Sequence, residues 1–217
     1  MEYKTRLGVD IGGTFTDVVL EHKGALYSSK VLTTYDIPED AILDGIEKVC
    51  TKSNIMPQEI EQIIHGTTLA TNALIQRNGA KTALITTSGF RDVIEMRTES
   101  RFEQYDLNLV LPPPLISRNC RYTLKERVDA KGNILIKLDQ AELDKLIETI
   151  DTAGFESVAV GLIHSYLNPE HEQFIKATLK ARLPHVSVSI SSEVSPQMRE
   201  YERFNTVCAN AYVKPMM

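Results

Sequence analysis

The sequence lacks the features that mark several large classes of protein. It has no basic excess: over 217 residues the formal charge is −5, with both signs spread along the chain. That is not the electrostatic footprint of a nucleic-acid binder or of a polybasic membrane patch. No apolar run approaches the roughly 18–20 residues needed to cross a bilayer. The opening residues Met1-Glu2-Tyr3-Lys4-Thr5-Arg6 contain no apolar signal core. Cysteines are few: Cys50, Cys120 and Cys208 are far apart and odd in number. Their spacing fits neither a disulfide framework nor a metal site, and the expectation is reduced thiols in a cytoplasmic protein. Low-complexity segments and fixed-period repeats are also missing.

Two common phosphate motifs are absent as well. No Gly-x-x-x-x-Gly-Lys-Ser/Thr occurs, so there is no P-loop. The one glycine pair near the start is not part of Gly-x-Gly-x-x-Gly, and a strand pattern rather than a helix follows it.

What is present is an ordinary globular composition, 42% apolar, and length enough for one large domain or two small ones. The most informative stretch runs from Val9 to Leu20. An apolar run ends at Asp10-Ile11, the turn Gly12-Gly13-Thr14 follows, and Phe15-Thr16-Asp17-Val18-Val19-Leu20 leaves at once. This reads as strand, glycine turn, strand. Paired glycines let the backbone approach an anion with no side chain between. Thr14 and Thr16 add hydroxyls, and Asp10 at the strand end suits a hydrated Mg²⁺ beside a phosphate. A plain hairpin turn with an incidental acid is the alternative.

Patterning predicts strands at Arg6–Ile11, Phe15–His22 and Ala25–Thr33, then a helix opened by Pro38 over Glu39–Lys52. A strand over Glu61–His65 leads to His65-Gly66-Thr67-Thr68. A helix over Leu69–Arg77 stopped by Asn78-Gly79 and a buried strand over Lys81–Thr87 complete what looks like a parallel crossover. Gly89–Met96 reads as one or two helical turns. Arg97 to Arg118, with Pro112-Pro113-Pro114, reads as a surface loop. Tyr122–Val128 and Ile134–Leu138 suggest a hairpin. Asp139 and Glu142 match a capping box before a helix that Gly154 ends. Strands at Ser157–Ile163 and Val186–Ile190 flank a helix started by Asn168-Pro169-Glu170. Residues 197–203 read as a partly exposed helix.

Several stretches in order resemble the N-terminal region of the hydantoinase A, 5-oxoprolinase and acetone carboxylase β-subunit family. They are Asp10-Ile11-Gly12-Gly13-Thr14-Phe15-Thr16-Asp17, His65-Gly66-Thr67-Thr68 with Ala70-Thr71-Asn72, Gly89-Phe90-Arg91-Asp92, Tyr105-Asp106-Leu107, His164-Ser165-Tyr166 with Asn168-Pro169, and Arg199-Glu200-Tyr201-Glu202-Arg203 with Asn210-Ala211-Tyr212-Val213. The first phosphate loop also resembles that of the actin, sugar-kinase and heat-shock-chaperone ATPases. The resemblance implies an α/β, ribonuclease H-like mixed sheet flanked by helices, with residues 1–190 as one domain and 191–217 as a connecting segment into a second half. It implies ATP and Mg²⁺ as cofactors, and activation of the carbonyl of a small cyclic amide such as a hydantoin or 5-oxoproline. It further implies partnership with a C-terminal half and a hydantoinase B-like subunit or domain. Such a second half is not identified in these residues, so independent ATP hydrolysis by them is not expected.

On this reading Asp10 is the catalytic and metal-holding acid. Gly12, Gly13, Thr14, Thr16 and Asp17 contact phosphate, with Thr67 and Thr68 as further cleft hydroxyls or simply a helix cap. His65 either polarises a carbonyl or contacts phosphate, or is a core histidine bonded to backbone. Arg97 and Arg101 are a possible anion clamp, with solvated surface arginines as the other reading. His164, His171 and Glu172 read as structural rather than metal-binding, and Arg199, Glu200, Glu202 and Arg203 as surface ion pairs. The competing classes are an acetone-carboxylase-like ATP-activating subunit, a sugar- or acid-kinase-like phosphotransferase, an activator of a radical dehydratase, and a non-catalytic assembly module. The activator class needs clustered cysteines, which the sequence lacks.

Overall fold

The computed structural model describes residues 4–34, 37–98 and 105–217. The chain divides into two compact units, Met1–Gln76 and Arg77–Met217. The boundary falls inside the 1–190 stretch expected to form one domain. Among the described residues no helix is long and apolar enough to cross a membrane.

The first unit is built on β1 (Arg6–Ile11), β2 (Phe15–His22), β3 (Ala25–Leu32), α1 (Pro38–Ser53), β4 (Gln62–Thr67) and α2 (Leu69–Gln76). Its sheet order is β3-β2-β1-β4; β1, β2 and β3 pair antiparallel and β4 lies parallel to β1. Alternation decides what each face carries. Leu7, Val9 and Ile11 of β1 and Val18 and Leu20 of β2 form one buried face, packed with Val49, Ile42 and Ile46 of α1. The interleaved residues, Asp10 among them, lie on the opposite face.

The second unit holds β5 (Thr82–Thr87), α3 (Val93–Met96), β6 (Arg121–Leu124), β7 (Arg127–Val128), β8 (Ile134–Ile136), α4 (Gln140–Thr152), β9 (Ser157–Gly161), α5 (Glu170–Arg182), β10 (Ser187–Ile190), α6 (Ser191–Val194) and α7 (Glu200–Val213). Its main sheet, β10-β9-β5-β6, is wholly parallel. Every residue of β5 and β9 is buried, as a parallel sheet covered on both faces requires. Leu143, Ile147 and Ile150 of α4 and Ile175 and Leu179 of α5 pack with Ala83, Ile85, Val158 and Val160. The other parity of strand residues meets α7, whose Phe204, Val207, Cys208 and Ala211 are buried. Burial pushes the Cys208 thiol up to about 12.

Several expectations change. β4 and β5 belong to different sheets, so strand–helix–strand over residues 62–87 is not a crossover; β4 pairs with β1, and β5 begins the second sheet. Of the expected hairpin, only Arg127–Val128 pairs with Ile134–Ile136, because Arg121–Leu124 joins β5 instead. Asp139 does cap α4 through Ala141 N at 2.8 Å, but the Glu142 carboxylate accepts from Lys125 N at 3.0 Å rather than closing a capping box. Residues 191–217, expected as a connector, form α6 and α7 and pack on β9 and β10. Arg203, expected at the surface, is fully buried. Its guanidinium donates to Ser191 Oγ, Gln197 O and Leu162 O. Ser191 Oγ in turn donates to Glu172, which also accepts from the amides of Leu162 and Ser192. His171 Nδ1 meets buried Glu126 at 2.8 Å, and His164 Nδ1 meets Val128 O at 2.9 Å. Both histidines and Glu172 are thus bonded within the fold. Charge cannot be left unpaired where water is excluded, and these networks satisfy it.

Gly79 also has a different reason from the one expected. Arg77, not a glycine, takes the left-handed conformation after α2, with φ 57°. A Cβ on Gly79 would lie 2.1 Å from the Tyr212 ring, so the glycine admits that ring. Gly79→Ala is therefore expected to destabilise the second unit by about 1–3 kcal/mol. In a Tyr212→Leu background the penalty shrinks. Urea unfolding of the four chains of that cycle measures both, and additive penalties would show that the ring contact is not the cause.

Candidate functional site

The site is built where β1 ends. β1 stops at Ile11 and β2 resumes at Phe15, leaving Gly12, Gly13 and Thr14 as the turn. Gly12 N donates to Phe15 O at 3.0 Å. A Cβ on Gly12 would sit 2.8 Å from that same oxygen, so only glycine closes the turn this tightly. Parallel pairing sets Ile11 level with Thr67, which brings the start of α2 beside the turn. Thr68 N donates to Ile11 O at 3.2 Å, and Asn72 N to Thr68 O at 2.8 Å. The Asn72 carboxamide nitrogen is 3.3 Å from Thr68 Oγ1, and it is the nearest atom, at 3.6 Å, to a Cβ placed on Gly13. The glycine turn and the first turn of a helix, whose leading amides have no intrahelical acceptors, therefore stand side by side.

Register builds the charged part. Asp10 pairs with Asp17 across β1 and β2, Asp17 with Lys30 across β2 and β3, and Asp10 with Gly66 across β1 and β4. Cross-strand partners share a face, so Lys30, Asp17, Asp10 and Gly66 form one row. Lys30 Nζ sits 3.0 Å from both carboxylate oxygens of Asp17 and over the Phe15 ring. Asp10 is exposed, and a Cβ on Gly66 would be 4.0 Å from its Oδ1. Gly66 leaves open the space next to the Asp10 carboxylate. Among the described residues, no three His, Cys, Asp or Glu side chains converge as a metal cage. A lone open carboxylate is the donor set that suits Mg²⁺ held mostly through waters and phosphate oxygens.

The structure sorts the expected residues. Asp10, Gly12, Gly13, Thr14 and Thr68 come together at the turn. Gly12 spends its amide on the turn itself. Asp17 lies in the acidic row, neutralised by Lys30. Thr16 is fully buried, and its hydroxyl meets Thr33 Oγ1 at 3.0 Å, so it lies behind the turn and is not offered to a ligand. Thr67 Oγ1 accepts from Leu69 N at 3.2 Å, which makes it a helix cap. His65 pairs with Val9 and falls on the face opposite Asp10. It does not join the Asp10 row, because one residue along a strand reverses the face.

The Thr87 hydroxyl donates to Glu126 and accepts from Ile163 N at 3.0 Å. Arg97 bonds Pro112 O, and Arg101 lies outside the described residues. Arg118 grips Asp92 through Nε and Nη2 at 2.9 and 3.0 Å, holding that carboxyl below its usual range. Three contributors at the turn escaped the sequence reading: Lys30, Thr33 and Asn72. Asn72 stands in the quoted Ala70-Thr71-Asn72 stretch, and strand register alone reveals the other two.

Comparison with known proteins identifies relatives in sequence and in fold. The hydantoinase/oxoprolinase N-terminal region matches residues 6–183. An uncharacterized protein of Methanocaldococcus jannaschii is 42% identical over 98% of this chain and 31% of its own length. The caprolactamase subunit alpha of Pseudomonas jessenii is 35% identical over 98% of this chain and 32% of its own. The crystal structure of that ATP-dependent caprolactamase superposes with a TM-score of 0.82 over 98% of this chain and 32% of that one. A nucleotide-free acetone carboxylase structure shares the fold, with a TM-score of 0.86 at 24% identity over 98% of this chain and 32% of that one. The chain thus spans about a third of the length of these relatives. A strand–glycine turn–strand with its acid row, and a family match across most of the chain, lead to one conclusion: the chain belongs to the hydantoinase/oxoprolinase family and carries its N-terminal region.

Proposed function

We propose that this region is the phosphate-binding part of an ATP-dependent enzyme that activates the carbonyl of a small cyclic amide. The single observation that carries the reading is the open Gly12-Gly13-Thr14 turn, placed between the exposed Asp10 carboxylate and the start of α2. Tight glycine turns and helix starts both favour anions. In this reading the turn and the leading α2 amides hold phosphate oxygens, Asn72 adds a donor, and Asp10 anchors a hydrated Mg²⁺. Bound ATP would supply the phosphoryl group that turns an amide oxygen into a leaving group, a reaction that depends mainly on positioning and charge neutralisation. The order β3-β2-β1-β4 supports a ribonuclease H-like assignment for the first unit. The cyclic-amide choice follows from the caprolactamase likeness, which is closer in sequence than the carboxylase likeness. The reading includes a hydantoinase B-like partner and a cytoplasmic setting, in keeping with three free cysteines.

Asp10→Asn keeps shape and removes charge. In the enzyme as it occurs in the cell, with whatever chain or subunit accompanies these residues, it is expected to cut ATP-dependent turnover by at least about 30-fold, roughly 2 kcal/mol of barrier. Thermal melting should stay near wild type. Turnover within about threefold across a Mg²⁺ titration removes Asp10 from the mechanism.

The two turn glycines should respond differently. Gly12→Ala must push against Phe15 O and open the turn, whereas a Cβ on Gly13 makes only an ordinary contact with Asn72. Calorimetric titration with ATP should show binding weakened about tenfold or more by Gly12→Ala and much less by Gly13→Ala. Equal, small effects for both would mean that the turn does not bind the nucleotide.

A further inference from the structure

β4 is left uncovered by the described residues. All six residues of Gln62–Thr67 are exposed, although the strand lies parallel to β1. Parallel strands are ordinarily buried on both faces, as β5 and β9 are. Among the described residues β4 pairs with β1 alone and ends its sheet. Every second residue of it therefore turns its N–H and C=O to a free edge. Exposed edges are usually blunted by charge, proline or a bulge. Gln62-Ile63-Ile64-His65-Gly66-Thr67 has no lysine, acid or proline, and its register with β1 is unbroken.

Both faces beside that edge are apolar. Ile63 and Ile64 are 64% and 54% exposed on opposite faces. On the Ile63 side, α1 packs mainly over β2 and β3. A groove of about 720 Å³ remains there, lined by Leu43, Ile46 and Cys50 of α1 with Ile55, Met56 and Ile63. On the other face Gly8 lies between Ile64 and Val19 in register, and both of those side chains are exposed. Gly8 pairs without a bulge, and a Cβ there would meet only Val19 O, at 3.8 Å. No described neighbour therefore calls for glycine at this position. A glycine inside a regular strand then marks the close approach of a ligand or another backbone.

We propose that β4 is an interior strand of a larger sheet. The family polypeptide beyond this N-terminal region lays a strand along the free edge of β4, a helix in the groove beside α1, and backbone over Gly8. This chain spans 31% and 32% of two relatives and matches a region that is N-terminal in the family, so the family polypeptide has ample further chain for the task. A second copy fits less well. Pairing β4 with β4 would extend the sheet, but each α1 is already seated on β2 and β3, and both grooves would stay empty. The inference rests on family membership and the bare strand, not on the ATP reading, and its test makes no use of ATP.

The test uses the enzyme as it occurs in the cell. Hydrogen–deuterium exchange on the peptide spanning residues 61–68 should show every β4 amide slowed, including those turned away from β1, by about 100-fold or more against an unstructured chain. That protection should persist over a roughly hundredfold dilution and in enzyme freed of any hydantoinase B-like subunit. Edge amides that exchange at unstructured rates overturn the proposal. Protection lost on dilution also overturns it and assigns the edge to a second copy; protection lost with the other subunit overturns it in favour of that partner. Gly8→Ala gives an independent reading. On a bare face, alanine in place of a strand glycine leaves the melting temperature unchanged or raises it. Beneath a close-packed backbone it lowers the melting temperature, by about 3 °C or more, which is the expected result. An unchanged or higher value overturns the proposal. If Gly8→Ala does not fold, the exchange result on the unaltered enzyme decides.

Discussion

The first unit depends on the two-residue alternation of β1. Leu7, Val9 and Ile11 must face α1 to be buried, and that requirement alone turns Asp10 to the opposite, open face. A slip of one residue would bury the carboxylate and expose three large apolar side chains, so core packing holds the site's geometry in place. Burial of those three side chains, at about 1.5–3 kcal/mol each, is strong enough to keep the aspartate's placement from drifting. The same register brings Asp17 beside Asp10. Like charges opposite each other are unfavourable, and Lys30, reaching both oxygens of Asp17, offsets them.

The turn depends on backbone accounting rather than on packing. Gly12 N, Gly12 O, Thr14 O and Ile11 O are all satisfied by named partners: Phe15, Thr33 and Thr68. A loop of three residues with so many fixed backbone groups has little freedom left, which suits a ligand site. By contrast, the second unit spends its polar groups internally. Arg203, Ser191 and Glu172 satisfy one another and the loose backbone ends around Leu162 and Ser192. Burial lowers the arginine's tendency to hold its proton, while Glu200 and Glu172 oppose that effect. Removing one partner would strand the rest, so this cluster fixes α5, α6 and α7 around the end of β9.

Element identity was largely legible from local pattern. The three opening strands, the α1 and α4 helices and the Asp139 cap of α4 follow from periodicity and capping chemistry, whereas α5 starts one residue later than expected, with Pro169 at its N-cap and Asn168 before it accepting from Glu170 N at 3.1 Å. Long-range pairing was not. Nothing local distinguishes Arg121–Leu124 as a partner of β5 from the first half of a hairpin, since either pairing satisfies the same backbone groups. Arg203 read as a surface charge because three- and four-residue spacing of Arg and Glu looks alike on exposed and buried helices; only the aromatic and apolar neighbours Tyr166 and Phe204, brought up by the fold, make it a buried cation.

For the candidate site the division is sharper. The sequence by itself determined the strand–glycine turn–strand, the place of Asp10 at its mouth and the family to which the chain belongs, because these reside in contiguous residues whose conformational needs are local. Tertiary structure decided which residues meet there. His65 was put on the face opposite Asp10 by a single step of strand parity, Thr16 was drawn behind the turn by the pairing of β2 with β3, and Lys30, Thr33 and Asn72 were brought beside Asp17, Thr16 and Gly13 from 13, 17 and 59 residues further along the chain, by register and parallel pairing that no local pattern supplies.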